Sequence, residues 1–407
     1  MAEKPQIALV HFKKDAYVIV EGTQIADRFF IIREGNVRIT KVDRVVKEDD
    51  KDVLVPGDFF GVISAMSSHS HIEIAQALTD VVLISVQKNQ FEDLVQNNTP
   101  VVMKLILYFS QRMRFLNEAL SQRRGKQSSP EGEEAGAALF NLGEFYAKRR
   151  MYTQAYYAYH QYSTYYPEGS SMERAKEQME EVKPYSKVST FEFDKTKLTR
   201  NYTKNTLIFA EGEPGDELFI LQNGSVKITK IVNNDEVLLA VFKSGDIFGE
   251  MALLESKARS ANAIAYEDCT VLTVNWENFQ NMAKKQPQII TRLTQLLAER
   301  LWVTYKQLVN TYIPNPVARL CDALLTDLEK NRLSFQPTTN YTFDFGPKEV
   351  VAMAGIPLSE SSVVIQKFLK ENPWVKVVED RIYTSDTAAI LKQNTIYRNI
   401  QRHKTGA

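Results

Sequence analysis

The chain has 407 residues, 44% hydrophobic and 25% charged, and its 50 Lys and Arg residues offset its 50 Asp and Glu residues. Because this length exceeds that of one typical domain, two to four hydrophobic cores are expected. The neutral total excludes a global basic field for nucleic acid or membrane, and two distant cysteines, Cys269 and Cys321, exclude a disulfide framework and favour a reducing compartment.

Signals for export, membrane insertion and catalysis are missing from the sequence. The amino-terminal residues MAEKPQIALVHFKKD lack the apolar core of a signal peptide, and no stretch approaches the ~18 consecutive apolar residues of a spanning helix. No nucleophile and base pairing, cluster of metal ligands or Walker-type loop is present. We therefore expect a cytoplasmic protein without a membrane partner, enzyme activity, catalytic residues, metal or cofactor.

Two copies of one β-rich unit occur in the chain. The segment EGTQIADRFFIIREGNVRITK corresponds to EGEPGDELFILQNGSVKITK, and PGDFFGVISAMSSHSHIEIAQA aligns without a gap on SGDIFGEMALLESKARSANAIA. Short alternating strands broken by turns predict an antiparallel β-roll in each copy. An apolar segment with helical periodicity follows each copy, which predicts a long exit helix. The first roll and its helix are assigned to residues 1–121, and the second to residues 186–312.

A charged, turn-rich segment, residues 122–136, separates the copies and is expected to be a flexible linker. Residues 137–185 then resemble one tetratricopeptide repeat, through Leu139, Leu142, Gly143, Tyr146, Ala155, Tyr159 and Pro167. A single repeat must pack on a neighbour or a partner. The tyrosines at 152, 156, 157, 159, 162, 165 and 166 fit a protein-binding surface, or else the helices' own core and a contact with an adjoining roll.

The segment FGEMALLESKARSANA, residues 248–263, resembles the phosphate-binding cassette of cyclic-nucleotide-binding domains. A guanidinium grips a phosphate through two parallel hydrogen bonds, a carboxylate accepts from a ribose 2′-hydroxyl, and glycine lets the backbone approach the sugar. A surface ion pair between Glu250 and Arg259 is the alternative. The resemblance implies a cyclic nucleotide as effector, cAMP ahead of cGMP, bound by Gly249, Glu250, Met251, Ala252, Arg259, Ser260 and Ala261, with Thr304 of the exit helix at the base.

The first copy departs from this pattern where the chemistry matters. Val62, His71 and Ile72 stand where the duplication places Glu250, Arg259 and Ser260. Losing one charge-assisted hydrogen bond of ~1.5 to 3 kcal/mol weakens binding about tenfold or more. The first copy is therefore predicted not to bind cyclic nucleotide and to serve as a packing or dimerisation partner. His69 and His71, without further ligands nearby, indicate loop residues rather than a metal site.

After the second roll the chain resembles the catabolite activator family of transcription regulators. The exit helix corresponds to that family's dimer helix. Its apolar pattern favours a homodimer, and a helix packed on its own roll would show a similar pattern; the residues are Leu293, Leu296, Leu297, Leu301, Val303 and Leu308. Residues 313–386 read as a winged helix-turn-helix with Gly355 at the turn. The candidate DNA contacts are Ser359, Glu360, Ser361 and Lys367, with Ser359 replacing a guanine-reading Arg of relatives and Val364 replacing a second basic residue.

Charge counting weakens the DNA prediction. Across residues 347–371 three lysines cancel three glutamates, so phosphate neutralisation supplies little affinity. A basic tail, residues 387–407, adds Lys392, Arg398, Arg402 and Lys404, which are expected to contact phosphates or to be solvated.

The sequence thus predicts a multi-domain α+β chain: two β-rolls with long exit helices, a small all-α insert and a carboxyl-terminal winged helix. The predicted function is a cyclic-nucleotide-responsive regulator with transcriptional output. The alternative is a signalling scaffold without DNA binding, whose protein contacts, including one at the helical insert, are constitutive or switched by nucleotide. The sequence leaves open the nucleotide, the partners and the sign of regulation.

Overall fold

The computed structural model describes residues 8–22, 25–41, 52–123, 133–187, 197–232, 235–255 and 257–405. Within these ranges none of the helices combines the length and the apolar character needed to cross a bilayer. The chain forms two compact units, one of Met1–Phe91 with Leu297–Ala407 and one of Glu92–Leu296.

The first roll consists of two antiparallel sheets, ordered β1-β8-β3-β6 and β2-β7-β4-β5 in the described part of the chain. Alternating apolar side chains from both sheets, among them Leu83 and Val37, fill the space between them. The strands are β1 (Ala8–Phe12), β2 (Tyr17–Ile19), β3 (Arg28–Glu34), β4 (Val37–Thr40), β5 (Val53–Leu54), β6 (Phe59–Phe60), β7 (Ile74–Ala77) and β8 (Val81–Gln87). A short helix, α1 (Val62–Ser67), links β6 to β7.

Helices α2 (Phe91–Asn97) and α3 (Thr99–Arg123) follow, and the insert contains α4 (Glu133–Lys148), α5 (Tyr152–Tyr165) and α6 (Met172–Val182). Of the predicted linker, residues 124–132 lie outside the described ranges. Helices α4 and α5 pack closely because Gly143 leaves room for the ring of Tyr159. Tyr157, Tyr159 and Tyr162 are buried in a core shared with the second roll, so they form the helices' own core and the contact with an adjoining roll.

The second roll repeats the topology of the first, with sheets ordered β14-β11-β16-β9 and β10-β15-β12-β13 in the described residues. Its strands are β9 (Thr199–Tyr202), β10 (Leu207–Phe209), β11 (Glu217–Asn223), β12 (Ser225–Val232), β13 (Asp235–Lys243), β14 (Ile247–Phe248), β15 (Asn262–Ala265) and β16 (Cys269–Asn275). Its helices are α7 (Glu250–Glu255), α8 (Trp276–Lys285) and α9 (Pro287–Asn310). Because every strand of one roll has a counterpart in the other, the structure agrees with the duplication seen in the sequence.

The hydrophobic face of α9 is already covered. Leu293, Leu297, Leu301 and Leu308 are buried within one chain. The leucine pattern is therefore explained without a second copy, and the homodimer stays a prediction.

The carboxyl-terminal domain consists of α10 (Pro316–Lys330), β17 (Tyr341–Thr342), α11 (Pro347–Met353), α12 (Leu358–Glu371), β18 (Val375–Val378), β19 (Arg381–Thr384) and α13 (Thr387–Thr405). Gly355 adopts φ +61 in the turn between α11 and α12. The segment treated above as a basic tail is helix α13, which buries Ile390 in the domain core. Arg398 on this helix lies 2.8 Å from the buried carboxylate of Asp322. The predicted multi-domain α+β class, with two rolls, long exit helices and an all-α insert, is confirmed. In the carboxyl-terminal domain β17, β19 and β18 form a three-stranded sheet.

Candidate ligand-binding site

The second roll builds its candidate site around Gly249, between β14 and α7. This residue has φ +75, a conformation that L side chains rarely adopt. A Cβ atom here would lie 2.8 Å from Arg259 Nη1 and 3.0 Å from Phe219 Cδ2. Glycine is therefore required both by the turn and by the close approach of the guanidinium.

Arg259 lies beneath this turn and is 5% exposed. Its Nη1 donates to Gly249 O at 2.5 Å, and its Nη2 donates to Glu217 O at 2.7 Å. The guanidinium carbon lies 4.3 Å from the centre of the Phe209 ring, at cation–π distance. The side chain is thus held in one orientation by neutral groups.

The charge of Arg259 is not neutralised by direct contact. Among the described carboxylates none forms an ion pair with it, and its Nε has no hydrogen-bond partner among the described atoms. The Glu217 carboxylate is taken by Arg200, through two 2.7 Å hydrogen bonds. Burial lowers the pKa of Arg259, against the opposing charge of Glu213. A buried cation without an anion is unfavourable, so the site is suited to an anionic ligand.

The other predicted cassette residues cluster around α7. Glu250 is 3% exposed, which together with buried Arg259 excludes a pair on the surface. Ala252 and Ala261 are buried, while Met251 and Ser260 are partly exposed. Helix α3 packs against α7 in the same compact unit. Thr304, in contrast, belongs to the compact unit of the first roll, so its predicted contact with the base stays a prediction.

A contact with the helical insert was missed by the sequence analysis. Tyr157 Oη donates to Glu213 Oε2 at 2.9 Å, and Gln161 Nε2 donates to Glu213 Oε1 at 3.1 Å. Burial raises the pKa of Glu213 to about 7, although the hydrogen bond from Ala210 N–H and the charge of Arg259 act in the opposite direction. One difference between the two copies could have pointed to this contact. The second copy has Glu213 after the Glu-Gly pair, and the first copy has Thr23 at that position.

The first roll fills the corresponding site with its own side chains. Gly61 N–H donates to Glu73 Oε1 at 2.5 Å, so a carboxylate occupies the start of α1. Val62 and Ile72 are buried, and the Ile19 side chain packs over Gly61. Burial lowers the pKa of His71, which keeps this ring neutral near pH 7. Glu73 was also missed, although the duplication places Ala261 opposite it.

His69, beside this cassette, contacts α9 in the same compact unit. Its ring stacks on Trp302 with centroids 3.9 Å apart and planes 22° apart, and its Nε2 lies 2.8 Å from Glu299 Oε1. Arg332 Nη2 donates to Ser67 O at 2.9 Å and lies 3.6 Å from Glu299. The loop after α1 is therefore a packing surface in the first roll.

The predicted DNA contacts lie on α12. Ser359, Glu360 and Lys367 are exposed, and Ser361 is partly exposed. Val364 is buried in the domain core, so treating it as a base-reading position is wrong. Its neighbour Val363 is 68% exposed, among mostly polar exposed side chains of this helix. The side chains of Arg402 and Lys404 lie outside the described ones.

Both rolls match a known family of domains. The family model for the cyclic nucleotide-binding domain matches residues 9–98 and 199–286. A CRP-like cAMP-activated global transcriptional regulator of Mycobacterium tuberculosis is 22% identical over 194 residues, 47% of this chain and 86% of that protein. The cyclic AMP receptor protein of Thermus thermophilus is 34% identical over 103 residues, 25% of this chain and 48% of that protein. A solved structure of Thermus thermophilus catabolite activator protein shares 28% identity and a TM-score of 0.28, over 49% of this chain and 89% of that one.

The chain thus contains two rolls of one topology, each with a short helix between its sixth and seventh strands. Both rolls match the family model of the cyclic nucleotide-binding domain, and parts of the chain are similar to CRP-like transcriptional regulators.

Proposed function

We propose that the chain is a regulator whose second roll binds a cyclic nucleotide, cAMP in preference to cGMP. The observation that carries this proposal is the buried, un-neutralised guanidinium of Arg259. It supplies the two parallel donors that one phosphate needs. Glu250 accepts from the ribose 2′-hydroxyl, and Ser260 and the Ala261 amide donate to phosphate oxygens. The printed names of relatives, which describe cAMP-activated regulators, support cAMP.

Calorimetric titration of the full chain with cAMP and with cGMP tests the proposal. Arg259→Ala should weaken cAMP binding about thirtyfold or more, because it removes a charge-assisted, two-point contact. His71→Ala, the matched change in the first roll, should leave the affinity within twofold of the wild type. Failure of both nucleotides to bind, or dependence of binding on His71 rather than Arg259, would contradict the proposal.

Output through DNA is the second part of the proposal. Relatives of the chain are named transcriptional regulators, and α12 occupies the second helix of a helix-turn-helix arrangement. A labelled duplex titrated at two salt concentrations, with and without cAMP, tests it. Because α12 and its preceding helix carry no net charge, weak binding with a shallow salt dependence is expected.

A scaffold that does not bind DNA is the second candidate function. It is favoured by the zero net charge of residues 347–371, since phosphate neutralisation then supplies little affinity for a duplex. Val363→Lys separates the two candidates. It should strengthen duplex binding if α12 lies on DNA, and it should leave duplex binding undetectable if the chain is a scaffold.

A further inference from the structure

The helical insert holds one loop of the second roll at three points. This loop, residues 210–216, joins β10 to β11. Tyr157 and Gln161 of α5 donate to the two oxygens of Glu213, and Tyr166 Oη donates to Gly212 O at 2.7 Å. Tyr157 is 3% exposed and Glu213 is 8% exposed, so these hydrogen bonds form away from solvent. Polar contacts of this kind are stronger than surface ones.

The same loop lies directly against the cassette. Gly212 N–H donates to Arg259 O at 2.9 Å, and Arg259 N–H donates to Glu213 O at 2.8 Å. Gly215 approaches so closely that a Cβ there would lie 2.5 Å from Arg259 Nε. A shift of the loop therefore moves both the insert's contacts and the surroundings of the guanidinium.

Glu213 is a buried acid whose backbone carbonyl accepts from the N–H of Arg259. The guanidinium donates to carbonyl oxygens, and the Glu217 carboxylate is engaged by Arg200. The negative charge of Glu213 acts to raise the pKa of Arg259, against the lowering by burial. Its negative charge favours the ligand-free arrangement and repels an anion that approaches the same guanidinium.

We propose that Glu213, held by Tyr157 and Gln161 of the insert, competes with the effector's phosphate for Arg259, so that docking of the insert sets the affinity of the second roll. This inference rests on the proposed function. Glu213 is a positioning residue here, because it acts through Arg259. Linkage then requires the reverse effect: a bound cyclic nucleotide loosens the insert's hold on the loop by the same factor.

Calorimetry with cAMP on the full chain, at pH 7.5, tests the inference. Glu213→Gln removes the competing charge and should tighten cAMP binding roughly three- to tenfold. Tyr157→Phe removes one hydrogen bond that stabilises the ionised carboxyl and should tighten binding about twofold to fivefold. The matched control is Tyr159→Phe, on the same helix, whose hydroxyl donates to Glu144 Oε1 at 3.0 Å within the insert. The Tyr159→Phe variant should bind cAMP with the affinity of the wild type.

A merely structural role predicts the opposite sign, since a damaged site binds more weakly. If Glu213→Gln and Tyr157→Phe bind cAMP equally or more weakly than the wild type, the inference fails while the proposed function stands. If the wild type binds neither cAMP nor cGMP, both fail. Amide hydrogen exchange gives an independent measurement. Saturating cAMP should accelerate exchange of the α5 amides in the wild type, and it should leave their exchange rates unchanged in Arg259→Ala. Unaltered exchange in the wild type with cAMP bound would overturn the linkage.

Discussion

The two cassettes have one topology and opposite contents. In the second roll, the turn at Gly249 lies over a buried guanidinium whose partners are neutral carbonyl oxygens. In the first roll, the turn at Gly61 donates to the carboxylate of Glu73, and apolar side chains occupy the adjoining positions. The second roll thus holds a buried guanidinium without a direct ion pair, whereas the first roll holds the carboxylate of Glu73 at the start of α1.

The first roll uses this part of its cassette for contacts within the chain. Replacing an arginine that is held by carbonyl oxygens would by itself leave buried backbone groups without partners, which is costly. In the first roll Glu73 accepts a hydrogen bond from Gly61 N–H, and His69 of the same segment stacks on Trp302 of α9. The segment that is predicted not to bind a nucleotide is therefore a packing element.

The largest expected effect comes from removing the packing partner in the first roll. Trp302 is 1% exposed and stacks on His69, so Trp302→Ala should lower the free energy of unfolding by about 3 to 5 kcal/mol. Urea denaturation followed by circular dichroism measures this. Trp302→Phe keeps an aromatic ring on His69 and should recover most of the loss. A cost below about 1 kcal/mol for the alanine variant would mean that the first cassette is not a packing surface.

Local features of both cassettes were predictable from the sequence, and distant contacts were not. The glycine turn, the short helix and Arg259 follow one another within the cassette, so spacing and residue type suffice to bring them together. Tyr157 and Glu213 are 56 positions apart, and His69 and Glu299 are 230 positions apart. These pairs depend on how helices lie on a roll, which periodicity does not specify. Val364 was misassigned because a shift of one residue on a helix turns a side chain from solvent to core.

The second prediction concerns pH, and it applies to the second roll alone. Burial raises the pKa of Glu213 to about 7 in the folded chain, so between the ordinary pKa of a glutamate and pH 7 the folded chain binds more protons than the unfolded chain. This group therefore stabilises the folded state at low pH. The free energy of unfolding should fall by on the order of 2 to 3 kcal/mol as the pH rises from 5 to 8. Glu213→Gln should remove this slope. Glu213 interacts electrostatically with several other titratable groups, which include Tyr157, Tyr165, Tyr166, Tyr202, Asp216 and Arg259.

Urea unfolding at pH 5 and pH 8 provides the measurement, with the wild type and Glu213→Gln compared at each pH. Glu168, exposed on the same helical insert, provides the control variant Glu168→Gln, whose change between the two pH values should match that of the wild type. Identical pH slopes for wild type and Glu213→Gln would show that the carboxyl is ionised in the folded chain at both pH values.

The smallest expected effect comes from trying to convert one cassette into the other. In a chain that carries Arg259→Ala, the substitutions Val62→Glu, His71→Arg and Ile72→Ser give the first roll the three side chains of the second. We expect no recovery of cAMP binding, because Glu73 still holds the Gly61 N–H and places a negative charge at the start of α1.

Adding Glu73→Ala, the residue found at position 261, removes that charge and should raise the affinity by about tenfold at most, since Trp302 still fixes the His69 loop. Fluorescence titration with labelled cAMP measures both grafted chains, and circular dichroism verifies that each is folded. If the first three substitutions alone gave wild-type affinity, the three side chains would suffice, and the contents of the rest of the cassette would be irrelevant to binding. If the fourth substitution is required, the carboxylate of Glu73 is what keeps an anionic ligand from the Gly61 N–H.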